Sequence, residues 1–185
     1  MFYLTLVLLS LLVLESIYFA DCTVTVQLER FEQQTGFHMA NFSGIRVRKF
    51  NRTTWVLDGA GDFFVDLTDE YQLSLTAAHS PLGNNQWNEY PMKISKDKAC
   101  NILNGPYKEY QSYFIDNSNM PRVEEEWVCP FPKGHYWVRN LAPDGSWIPS
   151  VVASGYWRLT ISIFDASDEI VLRFVSFLRV KKDYM

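Results

Sequence analysis

The sequence predicts a mainly β fold: a single-domain antiparallel β-cup or sandwich of seven to nine strands with one short helical segment. The first observation behind this prediction is that apolar and polar residues alternate along several stretches, which is the period of a strand with one buried face. The second is that glycine, proline and aspartate separate these stretches at turn-like positions. The third is that no internal repeat and no low-complexity linker divides the 185 residues, so we expect one domain.

The N-terminal stretch, residues 4–13, is almost wholly apolar. It has the length of a signal-peptide core and is shorter than the roughly 20 apolar residues that span a bilayer. We therefore expect residues 1–22 to be a signal peptide, cleaved after Ala20 or after Cys22, with an uncleaved signal anchor as the alternative. Residues 23–185 would then leave the cell as a secreted, extracellular domain.

The cysteine count depends on the cleavage site. The chain contains Cys22, Cys100 and Cys129. If Cys22 leaves with the signal peptide, the two remaining cysteines can pair. If Cys22 stays, one thiol is odd, which in a secreted protein indicates an intermolecular bond or a reactive thiol.

The strands are predicted from the alternation and from the turns between them. The polar residues 165–168 are expected to form the turn of a hairpin between the last two strands. Gly59 and Gly61 are expected to form a turn between two shorter strands. The alternating stretches are residues 24–28, 71–76, 157–163 and 170–180, and the shorter strand candidates are residues 44–50, 53–58 and 62–67.

One segment is predicted to be helical. Asp97 is expected to cap a short turn that contains Cys100, and Asn104-Gly105 is expected to end it. Pro106 suits the first position of a second short helix. That second helix would carry the aromatic residues Tyr107, Tyr110, Tyr113 and Phe114.

Charge and motifs exclude several classes of function. The formal net charge is −4, and a nucleic-acid partner is not expected because phosphate binding requires a basic face. The three histidines, His38, His79 and His135, show no metal-ligand spacing, so neither a metal nor a cofactor is expected. No nucleophile elbow or phosphate-binding glycine loop occurs. We therefore predict that the protein is not an enzyme, with a hydrolase of unfamiliar type as an open alternative.

Two glycosylation sequons support the secretory prediction. Asn41-Phe-Ser43 and Asn51-Arg-Thr53 both have the Asn-x-Ser/Thr pattern. A glycan cannot enter a packed core. Asn41 and Asn51 are therefore predicted to be exposed and glycosylated.

The C-terminal half contains the most specific pattern. Cys129-Pro130 is followed by Gly134-x-Tyr136, then by Pro149, and then by Gly155-Tyr156-x-Arg158 before an alternating strand. This order, from about Lys98 to Val180, resembles a family of small secreted insect proteins that includes the chemosensory CheA and CheB groups. That family is similar to the ganglioside activator and the ML lipid-recognition superfamily. The N-terminal half matches only in its strand pattern.

The resemblance implies a fold, a ligand class and a disulfide. The fold would be a β-cup whose apolar cavity holds a lipid or another hydrophobic ligand, such as a semiochemical, without catalysis. The disulfide would join Cys100 to Cys129. This chain departs from the ganglioside activator in its cysteine content, because that protein has more disulfides than three cysteines can form.

Our leading hypothesis is a secreted binding protein for a hydrophobic small molecule or lipid, with a receptor or a membrane surface as a further partner. The alternative is a secreted protein-interaction module with a filled core, because sequence alone does not separate a lined cavity from a packed interior. The predicted ligand-binding residues are the inward-facing positions of the C-terminal strands and of the helical segment. They are Tyr110, Phe114, Tyr136, Val138, Trp157, Leu159, Ile161, Ile163, Leu172, Phe174 and Leu178.

Overall fold

The alternating stretches do form strands. The computed structural model describes residues 22–149 and 151–184. Within these ranges, ten strands form two antiparallel sheets beside one short helical segment, in one domain. The predicted mainly β fold is therefore confirmed. The predicted signal peptide lies almost wholly outside the described residues, so its presence and its cleavage site stay predictions.

The first sheet has six strands and is centred on the hairpin of the last two strands. The side chain of Asp165 accepts hydrogen bonds from the backbone N–H groups of Ser167 and Glu169 (2.9 and 3.0 Å), which confirms the predicted hairpin turn. In spatial order its first four strands are β1 (Cys22–Thr35), β10 (Ile170–Tyr184), β9 (Gly155–Phe164) and β5 (Gln72–Ser80). Two short strands, β6 (Asn88–Glu89) and β7 (Ile94–Lys98), both pair with β5.

The second sheet has four strands. Two short strands pair with different parts of one edge of a longer central strand, and a fourth strand pairs with its other edge. The central strand is β4 (Trp55–Phe63), and its partners are β2 (Ala40–Asn41), β3 (Arg46–Lys49) and β8 (Gly134–Leu141).

The predicted turn at Gly59 and Gly61 is wrong, because β4 runs through both residues. Gly59 has a φ of +136°, which residues with a side chain rarely adopt. A Cβ atom at Gly59 would collide with the carbonyl oxygen of Gly44, and one at Gly61 would collide with that of Asn41. Because Gly59 and Gly61 have no side chain, the backbone at Asn41 and Gly44 can lie against this strand. Glycine within a strand often marks such a close approach of another backbone segment.

The helical segment is continuous rather than divided into two helices. The structure places Pro106 inside a π-helical turn, where the predicted break would have been. Asp97 precedes the first turn, and its carboxylate accepts a hydrogen bond from the side chain of Asn101 (3.0 Å). The segment consists of Ala99–Ile102, Leu103–Tyr107, Lys108–Tyr110, Gln111–Tyr113 and Ile115–Asn117.

A disulfide joins Cys100 of the helical segment to Cys129, with the Cα atoms 5.5 Å apart, as predicted. Disulfides form and persist in oxidising compartments, which is consistent with an extracellular or secreted protein. Asp69 lies within 4.8 Å of both sulfur atoms, but a metal would require thiolates rather than a disulfide. In the described part of the chain, no helix has the length and apolar character needed to cross a membrane.

Two side-chain amides hold the chain that returns from the helical segment. Asn104 accepts a hydrogen bond from the Val128 N–H (2.9 Å) and donates one to the Val128 carbonyl (2.7 Å). Gln111 does the same for Val123, at 2.9 and 2.6 Å. Each amide therefore satisfies both backbone groups of one residue, so this loop is ordered without a strand partner.

Two separate hydrophobic clusters fill the space between the layers. The larger one joins both sheets and the helical segment, and aromatic rings dominate it. The smaller one lies at the other end of the first sheet and consists of Ala77, Val152, Trp157 and Val180. The larger one consists of Met39, Ala40, Phe42, Phe63, Leu67, Ala99, Leu103, Val123, Phe131, Tyr136, Ile163, Leu172 and Phe174.

Removing the disulfide should destabilise the fold strongly. We expect the double variant Cys100→Ala/Cys129→Ala to lose about 3–4 kcal/mol of unfolding free energy, because the bond restricts the unfolded chain across a separation of 29 residues. Urea denaturation of the variant and of the oxidised wild type measures the difference. A loss below about 1 kcal/mol would show that the bond contributes little to folding.

Candidate functional site

The predicted ligand-binding residues of the first sheet do share one face. Ile161 on β9 lies opposite Leu75 on β5 and Phe174 on β10. Residues directly opposite each other in antiparallel strands project from the same side of the sheet. Phe174 packs edge-on against Phe42 (ring centroids 5.5 Å apart), so this face points towards the second sheet.

The structure places four of the predicted residues in the larger cluster. Phe174 lies between the rings of Phe31 and Phe42, at centroid distances of 6.0 and 5.5 Å. This close packing makes the end of the sandwich near Phe174 a filled core. The four residues are Tyr136, Ile163, Leu172 and Phe174.

Trp157 anchors the smaller cluster. Its indole N–H donates a hydrogen bond to the Ala153 carbonyl (3.0 Å), and its ring contacts His79 and Tyr90, each at a centroid distance of 4.7 Å. Predicted residues Leu159 and Leu178 pack against this cluster and are half-buried. The loop that carries Val152 thus closes the second end of the sandwich.

Ile161 lies between the two clusters and is not covered by either. It occupies the middle of the central strand and faces the second sheet, yet 38% of its surface is exposed. Ile163, two residues further on the same face, is only 2% exposed. A side chain on the inner face of a packed sandwich is normally covered. Its exposure therefore marks an apolar position on this face that neither cluster covers.

The aromatic residues of the helical segment form a chain that leads away from the core. Phe114 is half-buried against Tyr107, with a centroid distance of 5.3 Å, whereas Tyr110 is 46% exposed. Tyr113 stacks on Trp147 at 4.8 Å, and this contact ties the helical segment to the loop that packs against β1. Sequence analysis missed Trp147, because its partner comes from a segment more than 30 residues away.

The predicted residue Val138 lies on the second sheet. It is buried, pairs with Gly59 of β4, and forms a backbone bridge to Ser118. It belongs to neither cluster of the described core. The alternation along β8 is as predicted, with Tyr136 and Val138 inside and His135 outside.

The polar groups near the core are already satisfied. The phenol of Tyr107 donates to the Pro121 carbonyl (2.6 Å), and that of Tyr136 donates to the Pro132 carbonyl (2.5 Å). Burial raises the pKa of both phenols, so both are neutral. Among the described residues, no buried side-chain nitrogen or oxygen lacks a partner. The inner face therefore presents apolar groups rather than unpaired polar ones.

A second concave feature lies on the outer face of the second sheet. It has a volume of about 280 Å³, and Gly59 and Ala60 form its floor. On its rim, the imidazole Nδ1 of His135 lies 2.9 Å from a carboxylate oxygen of Asp62. The residues that line it are Asp58, Gly59, Ala60, His135, Trp137, Val138 and Arg139.

The carboxylate of Asp58 is fixed in this depression. It accepts hydrogen bonds from the Arg48 guanidinium (2.9 Å) and from the Asn140 backbone N–H (3.0 Å). These hydrogen bonds hold the pKa of Asp58 below its usual value, so Asp58 is an anion at neutral pH. No serine, threonine or cysteine lines the depression, so a nucleophile there would have to be the carboxylate of Asp58 or the imidazole of His135.

Both predicted glycosylation sites are exposed, as expected. The side-chain oxygen of Asn41 accepts hydrogen bonds from the N–H and the hydroxyl of Ser43 (3.1 and 2.7 Å). Asn51 accepts the same pair from Thr53, at 2.9 and 3.2 Å. Neither amide nitrogen donates a hydrogen bond within the described part of the chain.

Comparison with known proteins gives one partial match to a family model and no activity. A family model described as a protein of unknown function (DUF1091) matches residues 72–159, just under half of the chain. The matched region runs from β5 through the helical segment and the disulfide to β9. No curated protein matches the chain.

Two isoleucines on one strand test whether the inner space is unfilled. Ile163→Ala should cost about 2–5 kcal/mol of unfolding free energy, and Phe174→Ala about 3–5 kcal/mol, because both side chains are packed. Ile161→Ala should cost only about 1 kcal/mol, because its neighbours already leave space beside it. Urea denaturation gives the three values. Equal costs at Ile161 and Ile163 would show that the interior is filled throughout.

Proposed function

We propose that this protein is a secreted, non-enzymatic binding protein that holds a lipid-like or other hydrophobic ligand between its two sheets. The observation that carries the proposal is the exposure of Ile161 on the inner face, between two packed clusters. An apolar side chain that stays exposed inside a sandwich costs free energy, and a ligand that covers it recovers about 25 cal/mol per Å².

The chemistry of the space favours an apolar ligand. Leu75 and Leu159, its neighbours on the inner face, are half-buried. Each methylene group that a ligand buries there contributes about 0.8 kcal/mol. The phenol of Tyr110 is exposed and would orient the polar end of such a ligand at the rim.

Secretion is supported by the disulfide and by the two sequons. In both, the asparagine is exposed and its side-chain oxygen accepts from the hydroxyl of the sequon. The family match includes the Cys129-Pro130 and Gly155-Tyr156 elements through which the sequence resembles the insect chemosensory and ML lipid-recognition proteins. A semiochemical or a lipid is therefore the ligand class that we favour, with a receptor or a membrane surface as the place of delivery.

Two alternatives each have one observation in their favour. The packed cluster around Phe174 is what a protein-interaction module with a filled core would also contain. The pair of His135 and Asp62 beside the outer depression has the composition of a hydrolase site. Its side chains are 63% and 47% exposed, and no serine, threonine or cysteine lines the depression. We favour the binding protein, because neither alternative explains the exposure of Ile161.

Filling the inner space should abolish ligand uptake. We expect Ile161→Trp to weaken binding of a fluorescent fatty acid at least about tenfold, because the indole would occupy the ligand's place. The matched control is Ile170→Trp, since Ile170 has the same residue type and the same 38% exposure but lies at the hairpin end of β10. Fluorescence titration measures both variants.

Native mass spectrometry of the secreted wild-type protein provides the second measurement. We expect a co-purifying apolar molecule that the Ile161→Trp variant lacks. If the wild type carries no ligand and takes up no probe, the interaction module replaces the binding protein as the better hypothesis.

Glycosylation tests the secretory part of the proposal. Enzymatic deglycosylation of the secreted protein should lower its apparent mass, and Asn41→Gln and Asn51→Gln should each remove one glycan. Intact-mass measurement of the three proteins gives the occupancy of each site. An unchanged mass after deglycosylation would remove this support for secretion.

A further inference from the structure

We propose that the depression on the outer face of the second sheet binds carbohydrate, and that its occupant is the N-linked glycan of this chain's own Asn41. The observation behind the proposal is the position of Asn41 relative to Trp137. The proposal depends on glycosylation of Asn41 but not on a ligand between the sheets.

Asn41 lies in one cross-strand row with the rim of the depression. It pairs with Asp62 on β4, and Asp62 pairs with His135 on β8. Residues that are directly opposite share a face, so all three side chains project outwards. Neighbouring strands are about 4.8 Å apart, so this row spans about 10 Å and ends two residues, about 7 Å, from Trp137.

The depression exists because small residues face a large one. Ala60 on β4 lies directly opposite Trp137, and Gly59 beside it has no side chain. The guanidinium of Arg139 lies over the indole, 4.3 Å from the ring centroid, and fixes its orientation. The result is a half-buried aromatic wall beside a floor without bulky side chains.

The lining matches the chemistry of a pyranose ring. A sugar has an apolar face of C–H groups and a rim of hydroxyl and acetamido groups. The indole of Trp137 provides an amphipathic aromatic platform for the apolar face. The carboxylates of Asp58 and Asp62 provide acceptors for the rim, and the imidazole of His135 provides a further polar group.

The tether favours the protein's own glycan over a sugar from another molecule. Contacts between one sugar and one aromatic ring are weak, but attachment at Asn41 raises the effective concentration to the millimolar range or above. Asn41 belongs to β2, a two-residue strand at the edge of its sheet, and a glycan attached there would reach Trp137 by lying across β4.

A double-mutant cycle tests the contact between the glycan and Trp137. The protein is secreted from eukaryotic cells, and the occupancy of Asn41 is established by mass spectrometry. We expect Asn41→Gln to lower Tm by about 2–4 °C in the wild type. In the Trp137→Ala background the same substitution should change Tm by less than about 1 °C, because the contact is already absent.

Two further variants complete the design. If Trp137→Ala fails to fold, Ala60→Arg replaces it, because the arginine fills the floor of the depression without touching the core. In the Ala60→Arg background, Asn41→Gln should likewise leave Tm almost unchanged. Asn51→Gln is the matched control. Asn51 lies in the turn between β3 and β4. It lies beyond Trp55, which is itself about 17 Å along the strand from Ala60. Its effect on Tm should be the same with and without Trp137.

Added chitobiose, the disaccharide with which N-linked glycans begin, separates the two sources of sugar. We expect the Asn41→Gln variant to show chitobiose-dependent chemical-shift changes at the Trp137 indole N–H, and the glycosylated wild type to show none. An unoccupied Asn41, additive effects of Asn41→Gln and Trp137→Ala, or equal chitobiose binding by both proteins would each overturn the proposal. None of these outcomes depends on the ligand between the sheets. Additive effects or equal chitobiose binding would leave the proposed function intact, whereas an unoccupied Asn41 would also weaken its secretory part.

Discussion

The packing of aromatic rings between the two sheets is the interaction on which the rest of the structure depends. Phe63 of the second sheet contacts Phe42, Phe131 and Tyr136 at centroid distances of 5.0–5.9 Å, and Phe42 in turn contacts Phe174 of the first sheet. Edge-to-face contacts of this kind add about 0.5–1.5 kcal/mol each to the free energy of burial. They join the two sheets at the end near Phe174.

The helical segment and the loop that follows it complete the larger cluster. Leu103 and Val123 are almost fully buried, although the second lies in a loop. The disulfide and the amide of Gln111 hold that loop in place. A buried loop requires partners for its backbone groups, and here side chains supply them. The disulfide therefore helps to hold this side of the core, where the chain forms a loop rather than a strand.

The second sheet has two faces with different chemistry, and β8 contributes side chains to both. On the inner face, β8 contributes Tyr136 to the core. On the outer face, it contributes His135, Trp137 and Arg139 to the depression. Because side chains alternate along a strand, a residue on one face is insulated from its neighbour on the other. The inner face and the outer depression are consequently separate surfaces that one β-sheet supports.

The sequence by itself determined the main strands and the sides of those strands, because alternation is a local signal. Cysteine parity left the fate of Cys22 open, and the pairing of Cys100 with Cys129 was implied by the family resemblance. It predicted correctly that Tyr136 and Val138 face inwards and that both sequons are exposed. Only the tertiary structure decided that Ile163 is packed while Ile161 is exposed, although both follow the same alternation. It also decided that Gly59 lies within a strand, beside a loop that approaches from Gly44. The physical reason is that periodicity indicates the direction in which a side chain points. Whether that side chain is buried depends on residues that are far away in the chain.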